Sequence, residues 1–195
     1  MEAIRPIVRR ARDCGVETLS VYTFSTENWS RPDDEVEGLF ALIDGAVRQH
    51  TDELIAEGVR VNVIGRLHEA PADIQRSIRA AEERTRTGTR LTLNICFNYS
   101  GRAEVVDAVR SLVASGARPE TIDEDLFAAH LYTAGQPDVD LLIRTGGDHR
   151  TSNFLIWQAT YAELIFSPKF WPDFHEADFD AALAEFARRD RRFGA

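Results

Sequence analysis

The chain has 195 residues, 44% of them hydrophobic, and a formal net charge of −9. That apolar content suffices for one domain with its own core, and the acidic balance excludes a general nucleic-acid binder, which needs clustered Lys and Arg against phosphate. No apolar run reaches the roughly 18 residues of a membrane span and the start lacks a basic-then-apolar signal, so the chain is expected in the cytoplasm, with at most peripheral membrane contact.

In chain order, Ile4, Ile7, Val8 and Ala11 fall at helical spacing within Glu2 to Cys14, and Gly15 suits a left-handed stop. Thr18 to Phe24 reads as a strand running into the polar loop Ser25-Thr26-Glu27-Asn28-Trp29-Ser30-Arg31-Pro32. A long helix is predicted from Asp34 to Glu57, closed by Gly58 and apolar on more than one stripe. Then follow strand Val59–Ile64, helix Ala72–Arg84, strand Leu91–Phe97, helix Ala103–Ser115, helix Glu124–Tyr132 and strand Val139–Arg144. An apolar stretch from Phe154 to Phe166 and a last helix over Glu176–Arg189 complete the pattern. Strands alternating with helices imply an α/β fold with a mostly parallel central sheet covered by helices. Cys14 and Cys96 lack metal-ligand spacing and read as two buried free thiols.

In such a sheet, ligands bind beyond the carboxyl ends of the strands, so the loops after the strands are the candidate site. Residues 25–32 offer hydroxyls, an amide, a carboxylate, an indole and a guanidinium, and serve equally as a capped surface loop or a ligand loop. Asn98-Tyr99-Ser100-Gly101-Arg102 reads first as a helix cap and turn. Arg144-Thr145-Gly146-Gly147-Asp148-His149-Arg150-Thr151-Ser152-Asn153 is a candidate anion cradle: glycines let backbone amides approach, guanidinium forks grip phosphate oxygens and hydroxyls complete the shell. The alternative is a solvated loop with Asp148 paired to its own arginines. Glu163, within Tyr161-Ala162-Glu163-Leu164-Ile165-Phe166, is either a partnered structural acid or a metal or phosphate-site group.

These loops, with Asp140-Leu141-Leu142-Ile143-Arg144 through Asn153-Phe154-Leu155-Ile156-Trp157-Gln158, Tyr161-Ala162-Glu163-Leu164 and Arg191-Arg192-Phe193-Gly194, resemble the cis-prenyltransferases of the undecaprenyl-diphosphate-synthase type across essentially the whole chain. The resemblance implies repeated condensation of isopentenyl diphosphate onto an allylic diphosphate such as farnesyl diphosphate, assisted by Mg²⁺. The product would be a long cis-polyprenyl diphosphate such as undecaprenyl diphosphate, the carrier lipid for cell-wall precursors. It assigns Arg144, Arg150, Thr151 and Ser152 to the isopentenyl pyrophosphate, and Asn28 to proton removal after condensation. An amide is a poor base, so Asn28 is expected to position the acceptor. Ser25, Thr26, Glu27, Trp29 and Arg31 would line or organise the same pocket, and Glu163 would serve Mg²⁺ beside a second carboxylate. Leu39, Phe40, Ile43, Leu91 and Leu93 are candidate walls of the apolar tunnel that encloses the growing chain, and Arg192-Phe193-Gly194 implies a homodimer.

The family opens with a strand and an Asp-Gly-Asn-Gly-Arg-Trp loop that has no counterpart between Met1 and Ala195. The expectation is a single domain over residues 1–195, N-terminally incomplete and one strand short, with little turnover as it stands. The alternatives are a start assigned too late for an ordinary synthase, a non-catalytic subunit of a two-component cis-prenyltransferase, and a diphosphate-binding module without turnover.

Overall fold

The computed structural model describes residues 4–189, in which strands and helices alternate. Helix α1 (Ile4–Asp13) buries Ile7, Val8 and Ala11 along one face. It is followed by β1 (Thr18–Ser25), a 3₁₀ turn at Thr26–Ser30, α2 (Asp33–Ala56), β2 (Val59–Ile64), α3 (Ala72–Thr85) and β3 (Leu91–Tyr99). The second half holds α4 (Gly101–Ala114), a short α5 (Glu124–Ala128), β4 (Leu141–Arg144), β5 (Glu163–Phe166) and α6 (Glu176–Arg188).

The strands are parallel throughout, as the alternating pattern predicts, and among the described residues they pair as two sheets: β1-β3-β2 and β4-β5. β3 is the buried centre of the first, with Asn94, Cys96, Phe97, Asn98 and Tyr99 all 0% exposed. Covered on both faces, it is buried almost continuously along its length and not only at alternate positions. Phe24, Phe97, Phe40, Ile43, Ile74 and Ile78 form the core between this sheet and α2 and α3. Leu19 of β1 and Ile143 of β4 pack on a shared cluster of Ile7, Ala11, Phe174 and Phe179, so α1 and α6 help to hold the two sheets together. Parallel register sets Ser25 opposite Tyr99, which makes the loops that follow β1 and β3 neighbours.

Several expectations are corrected. Cys14 is exposed and only Cys96 is buried, because Cys14 lies past the last apolar position of α1, in the turn that ends it. Helix α5 stops at Ala128 instead of running to Tyr132. Strand β4 begins at Leu141 instead of Val139, while the apolar Phe154–Phe166 stretch, given no element from the sequence, supplies β5 at its end.

The Tyr132 amide beyond α5 donates instead to Glu104 Oε1 at 2.9 Å. Glu104, 1% exposed, also accepts from Tyr99 Oη at 2.5 Å and from Gln158 Nε2 at 3.1 Å and 3.2 Å. One carboxyl thus ties β3, α4, the α5–β4 connection and the turn after Leu155. Burial pushes its pKa above the ordinary glutamate value, against the opposing effect of Tyr99, Gln158 and the Tyr132 amide.

Removing Glu104 strands three buried donors, so Glu104→Ala should lower stability by about 3 kcal/mol in urea unfolding. Because the folded-state pKa is raised, the group's contribution is intact below the ordinary glutamate pKa and is lost as pH rises through the raised value. Stability measured against pH should therefore decline over that interval, and Glu104→Gln should flatten the decline; an unchanged slope would refute this assignment.

Candidate functional site

The three polar loops meet at one residue that the sequence does not single out. Asn153 Nδ2 donates to Glu27 Oε1 at 3.0 Å and to Ser100 Oγ at 2.7 Å, while its Oδ1 accepts from the Arg102 amide at 2.9 Å. Its carbonyl accepts from the Gly101 amide at 2.8 Å. Gly101 is required by this closeness, since a Cβ there would lie 2.8 Å from Ile156 and 3.0 Å from the Asn153 carbonyl oxygen. Asn98 makes a second tie: its Oδ1 accepts from Trp29 Nε1 at 2.8 Å, and its Nδ2 donates to the Arg66 carbonyl and to Glu69.

Within the first loop, Asn28 Oδ1 accepts the Ser25 amide at 2.8 Å, closing the 3₁₀ turn on itself. One lone pair of the side-chain oxygen is thereby taken, and the NH₂ group remains a donor that Asn28 can offer a ligand, consistent with positioning. Trp29 packs its ring edge-on against Phe24 and Phe40 at 5.3 Å and 5.4 Å, so it anchors the loop to the core. Thr26 Oγ1 donates to Glu27 Oε2 at 3.3 Å, beside the Glu27 oxygen held by Asn153. Arg31 stands apart from this cluster, 52% exposed at its side chain and 3.6 Å from Glu35 in the first turn of α2.

In the third loop two guanidinium groups converge. Arg144 Nη1 donates to Ser152 Oγ at 2.5 Å and Nη2 to Asp148 Oδ2 at 2.8 Å. Arg150 grips both oxygens of Asp148 at 2.8 Å and 2.6 Å and reaches Ser152 Oγ at 3.2 Å. The Asp148 pairing weighed as an alternative to an anion cradle is therefore present, and it is what gathers the cations. Hydrogen bonding to Arg144 foremost, with Arg150 adding, holds the Asp148 carboxyl below its usual range. Arg144 Nε is buried without a partner. Thr151 lies between the two, its carbonyl accepting from the Phe154 amide.

The glycines act differently from the expectation. Gly146 and Gly147 have φ of 92° and 78°, but their amides donate to the Lys169 and Ser167 carbonyls at 2.7 Å and 3.0 Å, so they fasten the loop to the chain after β5 and are not free for an anion. The loop's conformational tension lies beyond them: Ser152, Asn153 and Leu155 adopt φ of 49°, 63° and 45°, left-handed values uncommon for non-glycine residues and concentrated at functional sites.

Glu163 is not gathered with this cluster. It stands opposite Leu141 at the start of the β4–β5 pair, whereas Arg144 is opposite Phe166 at its end, about 10 Å away along the strands. Glu163 Oε2 accepts from Arg189 Nη1 at 2.6 Å, the partnered arrangement that offsets the cost of a half-buried carboxylate. Among the described residues no group of three or more His, Cys, Asp or Glu side chains is gathered that could hold a metal ion. Arg192-Phe193-Gly194 lies outside the described residues.

Asn153 generates a direct test. Asn153→Ala should cost about 2 kcal/mol, from three lost side-chain hydrogen bonds and a Cβ residue left at positive φ. Asn153→Gly, which relieves the backbone, should recover about 1 kcal/mol of that in thermal unfolding. Equal melting of the two variants would show that the left-handed backbone contributes nothing.

The chain matches the prenyltransferase family model described as "Putative undecaprenyl diphosphate synthase" over residues 1–194. It is 46% identical over 198 aligned residues to isoprenyl transferase 2 of Bradyrhizobium diazoefficiens, spanning 100% of this chain and 79% of that one. It is 49% identical to the isoprenyl transferase of Brucella suis, spanning 100% and 78%. Among solved structures, a probable undecaprenyl diphosphate synthase from Campylobacter jejuni superposes with a TM-score of 0.91 at 30% identity, covering 100% of this chain and 91% of that one. Lavandulyl diphosphate synthase from Lavandula x intermedia, in complex with dimethylallyl diphosphate, gives 0.95 at 34%, covering 100% and 86%. With the fold, the arginine cradle and these likenesses agreeing, the chain belongs to the undecaprenyl diphosphate synthase family of isoprenyl transferases.

Proposed function

We propose that this protein condenses isopentenyl diphosphate with an allylic diphosphate, farnesyl diphosphate being the natural starter, to a long cis-polyprenyl diphosphate such as the undecaprenyl carrier lipid used for cell-wall precursors. The observation that carries the reading is the convergence of Arg144 and Arg150 on Asp148 and Ser152. A carboxylate clasped by two guanidinium forks beside a hydroxyl is what a pyrophosphate oxygen would replace. Ser152 and Thr151 complete the shell, and Asn28 presents its amide donor from the neighbouring loop. An apolar cavity under β1 and β3, whose lining includes Ile43 and Leu93, receives the hydrocarbon chain. Leu39, Phe40 and Leu91, also expected as walls, are not among its lining residues and pack in the same core clusters as Ile43 and Leu93.

Mg²⁺ and a homodimer belong to the same reading through the family resemblance. Glu163 is held by Arg189 away from the cradle, and no chemical step is assigned to the metal. The engagement of Glu163 by Arg189, at the end of the strand pair away from Arg144, favours one second reading: diphosphate binding without turnover, alone or as the non-catalytic subunit of a pair.

Calorimetric titration with inorganic pyrophosphate should show saturable binding, weakened tenfold or more by Arg144→Ala, since a charge-assisted hydrogen bond contributes about 1.5–3 kcal/mol. Ser152→Ala should weaken it less. Undiminished binding in Arg144→Ala would overturn the cradle. Isopentenyl incorporation with farnesyl diphosphate and Mg²⁺ then separates synthase from binding module: product above background supports the first, and tight binding with background incorporation the second.

A further inference from the structure

The 3₁₀ turn Thr26–Ser30 that carries Asn28 buries none of its residues, so its place is set by what reaches it from other elements. Two side-chain hydrogen bonds do so, one on either side of Asn28. Glu27 is held by Asn153 of the third loop at 3.0 Å, and Trp29 Nε1 donates to Asn98 Oδ1 at 2.8 Å. The indole is 41% exposed and has one polar atom, so this bond decides how the ring turns against Phe24 and Phe40.

Asn98 is shaped by its surroundings for that contact. It lies next to the end of β3, 0% exposed, with φ of 47°. There β3 slips against β1: Phe24 is opposite Phe97 and Ser25 opposite Tyr99, so Asn98 is passed over in the pairing and the bulge re-aims its side chain. Its Nδ2 donates to the Arg66 carbonyl at 3.1 Å and to Glu69 Oε2 at 2.8 Å, and its own carbonyl accepts from the Arg66 amide at 3.2 Å. Both amide hydrogens are therefore engaged by the turn after β2, which fixes the amide plane and leaves Oδ1 facing Trp29. That turn is itself held firmly. Arg66 grips both oxygens of Asp107 of α4 at 2.7 Å and 3.0 Å, and a Cβ on Gly65 would lie 2.1 Å from the Phe97 carbonyl oxygen.

We propose that Asn98 is a positioning residue: by fixing the Trp29 indole to the turn after β2, it holds Asn28 where its NH₂ group meets the diphosphate of the substrate. This deepens, and rests on, the reading that a diphosphate binds at Arg144, Arg150 and Ser152 with Asn28 beside it. Filling the core requires neither a left-handed bulge nor an acceptor aimed at a part-exposed indole, and an apolar side chain would fill it without a polar group to satisfy.

The test follows the Trp29 indole N–H by ¹H–¹⁵N spectroscopy, its signal told from those of Trp157 and Trp171 by its absence in Trp29→Phe. Affinity for isopentenyl diphosphate is measured by calorimetry on the same variants. Asn98→Gly, which suits the left-handed backbone, should open that N–H to solvent exchange and weaken isopentenyl diphosphate about tenfold, the loss of roughly one hydrogen bond. Asn98→Asp/Glu69→Gln keeps an acceptor for Trp29 and supplies the lost donor from position 69, so it should retain both the protected signal and the affinity. Unchanged affinity in Asn98→Gly, with the indole bond lost, overturns the positioning role alone. If Asn98→Gly fails to fold by circular dichroism, Asn98→Asp takes its place: with two carboxylates face to face, affinity should fall and then return in the double variant. Affinity unchanged throughout that series overturns the role. Failure of the unaltered protein to bind pyrophosphate overturns the diphosphate reading and this proposal with it.

Discussion

Asn153 is the constraint on which the site depends. Its side chain and carbonyl hold Glu27 of the first loop and Ser100, Gly101 and Arg102 of the second, partners 126 residues and about 50 residues away in the chain. Such contacts close only after β1, β3 and β4 are in place, so the site is a product of the assembled fold and not of any local segment. Asparagine suits the position because it tolerates a left-handed backbone and offers both a donor pair and an acceptor. Asn98, also left-handed and fully buried, does the same for Trp29 and the residues after β2.

Charge is arranged as locally as hydrogen bonding. The protein is acidic overall, yet two arginines lie side by side in the third loop because Asp148 satisfies them both. Exposed pairs of this kind add little stability, so what Asp148 chiefly does is hold two cations at short range. Glu163 is held in the opposite manner: Arg189 neutralises it at the far end of the β4–β5 pair. Glu163 and Arg144 thus stand at opposite ends of one strand pair, which keeps the expected metal ligand apart from the cradle among the described residues.

The elements and the polar loops were legible in the sequence for a simple reason. Helical and strand periodicity are properties of contiguous residues, and so is the clustering of Arg144, Arg150 and Ser152. What was not legible depends on partners distant in sequence. Nothing next to Asn153 or Glu104 reveals that one will join three loops and the other three donors. The double-glycine bend suggested free amides, yet Ser167 and Lys169 take them, a contact visible only once β5 lies beside β4. Helix α5 was overextended because its continuation had adequate periodicity, while a buried carboxylate elsewhere took the Tyr132 amide. Cys14 was misjudged because burial was inferred from residue type, whereas exposure followed from its place beyond the last apolar turn of α1.

The direction of the fold supplies the remaining step. Parallel strands bring the polar loops to one end of the sheet, and α2 returns antiparallel to them, beginning beside those loops and ending in acids clasped by α1. Between the ends, the helix and strands turn apolar side chains toward each other because they are the covering layers of one core. Along this axis the surroundings change in order: polar loop residues at the start of α2, an apolar cavity lined by Ile43, Val47 and Leu93, then the paired charges of Arg5, Arg9, Glu53 and Glu57. The same helix that closes the core therefore joins two unlike surroundings, the polar loop before Asp33 and the ion pairs with α1 at Glu53 and Glu57.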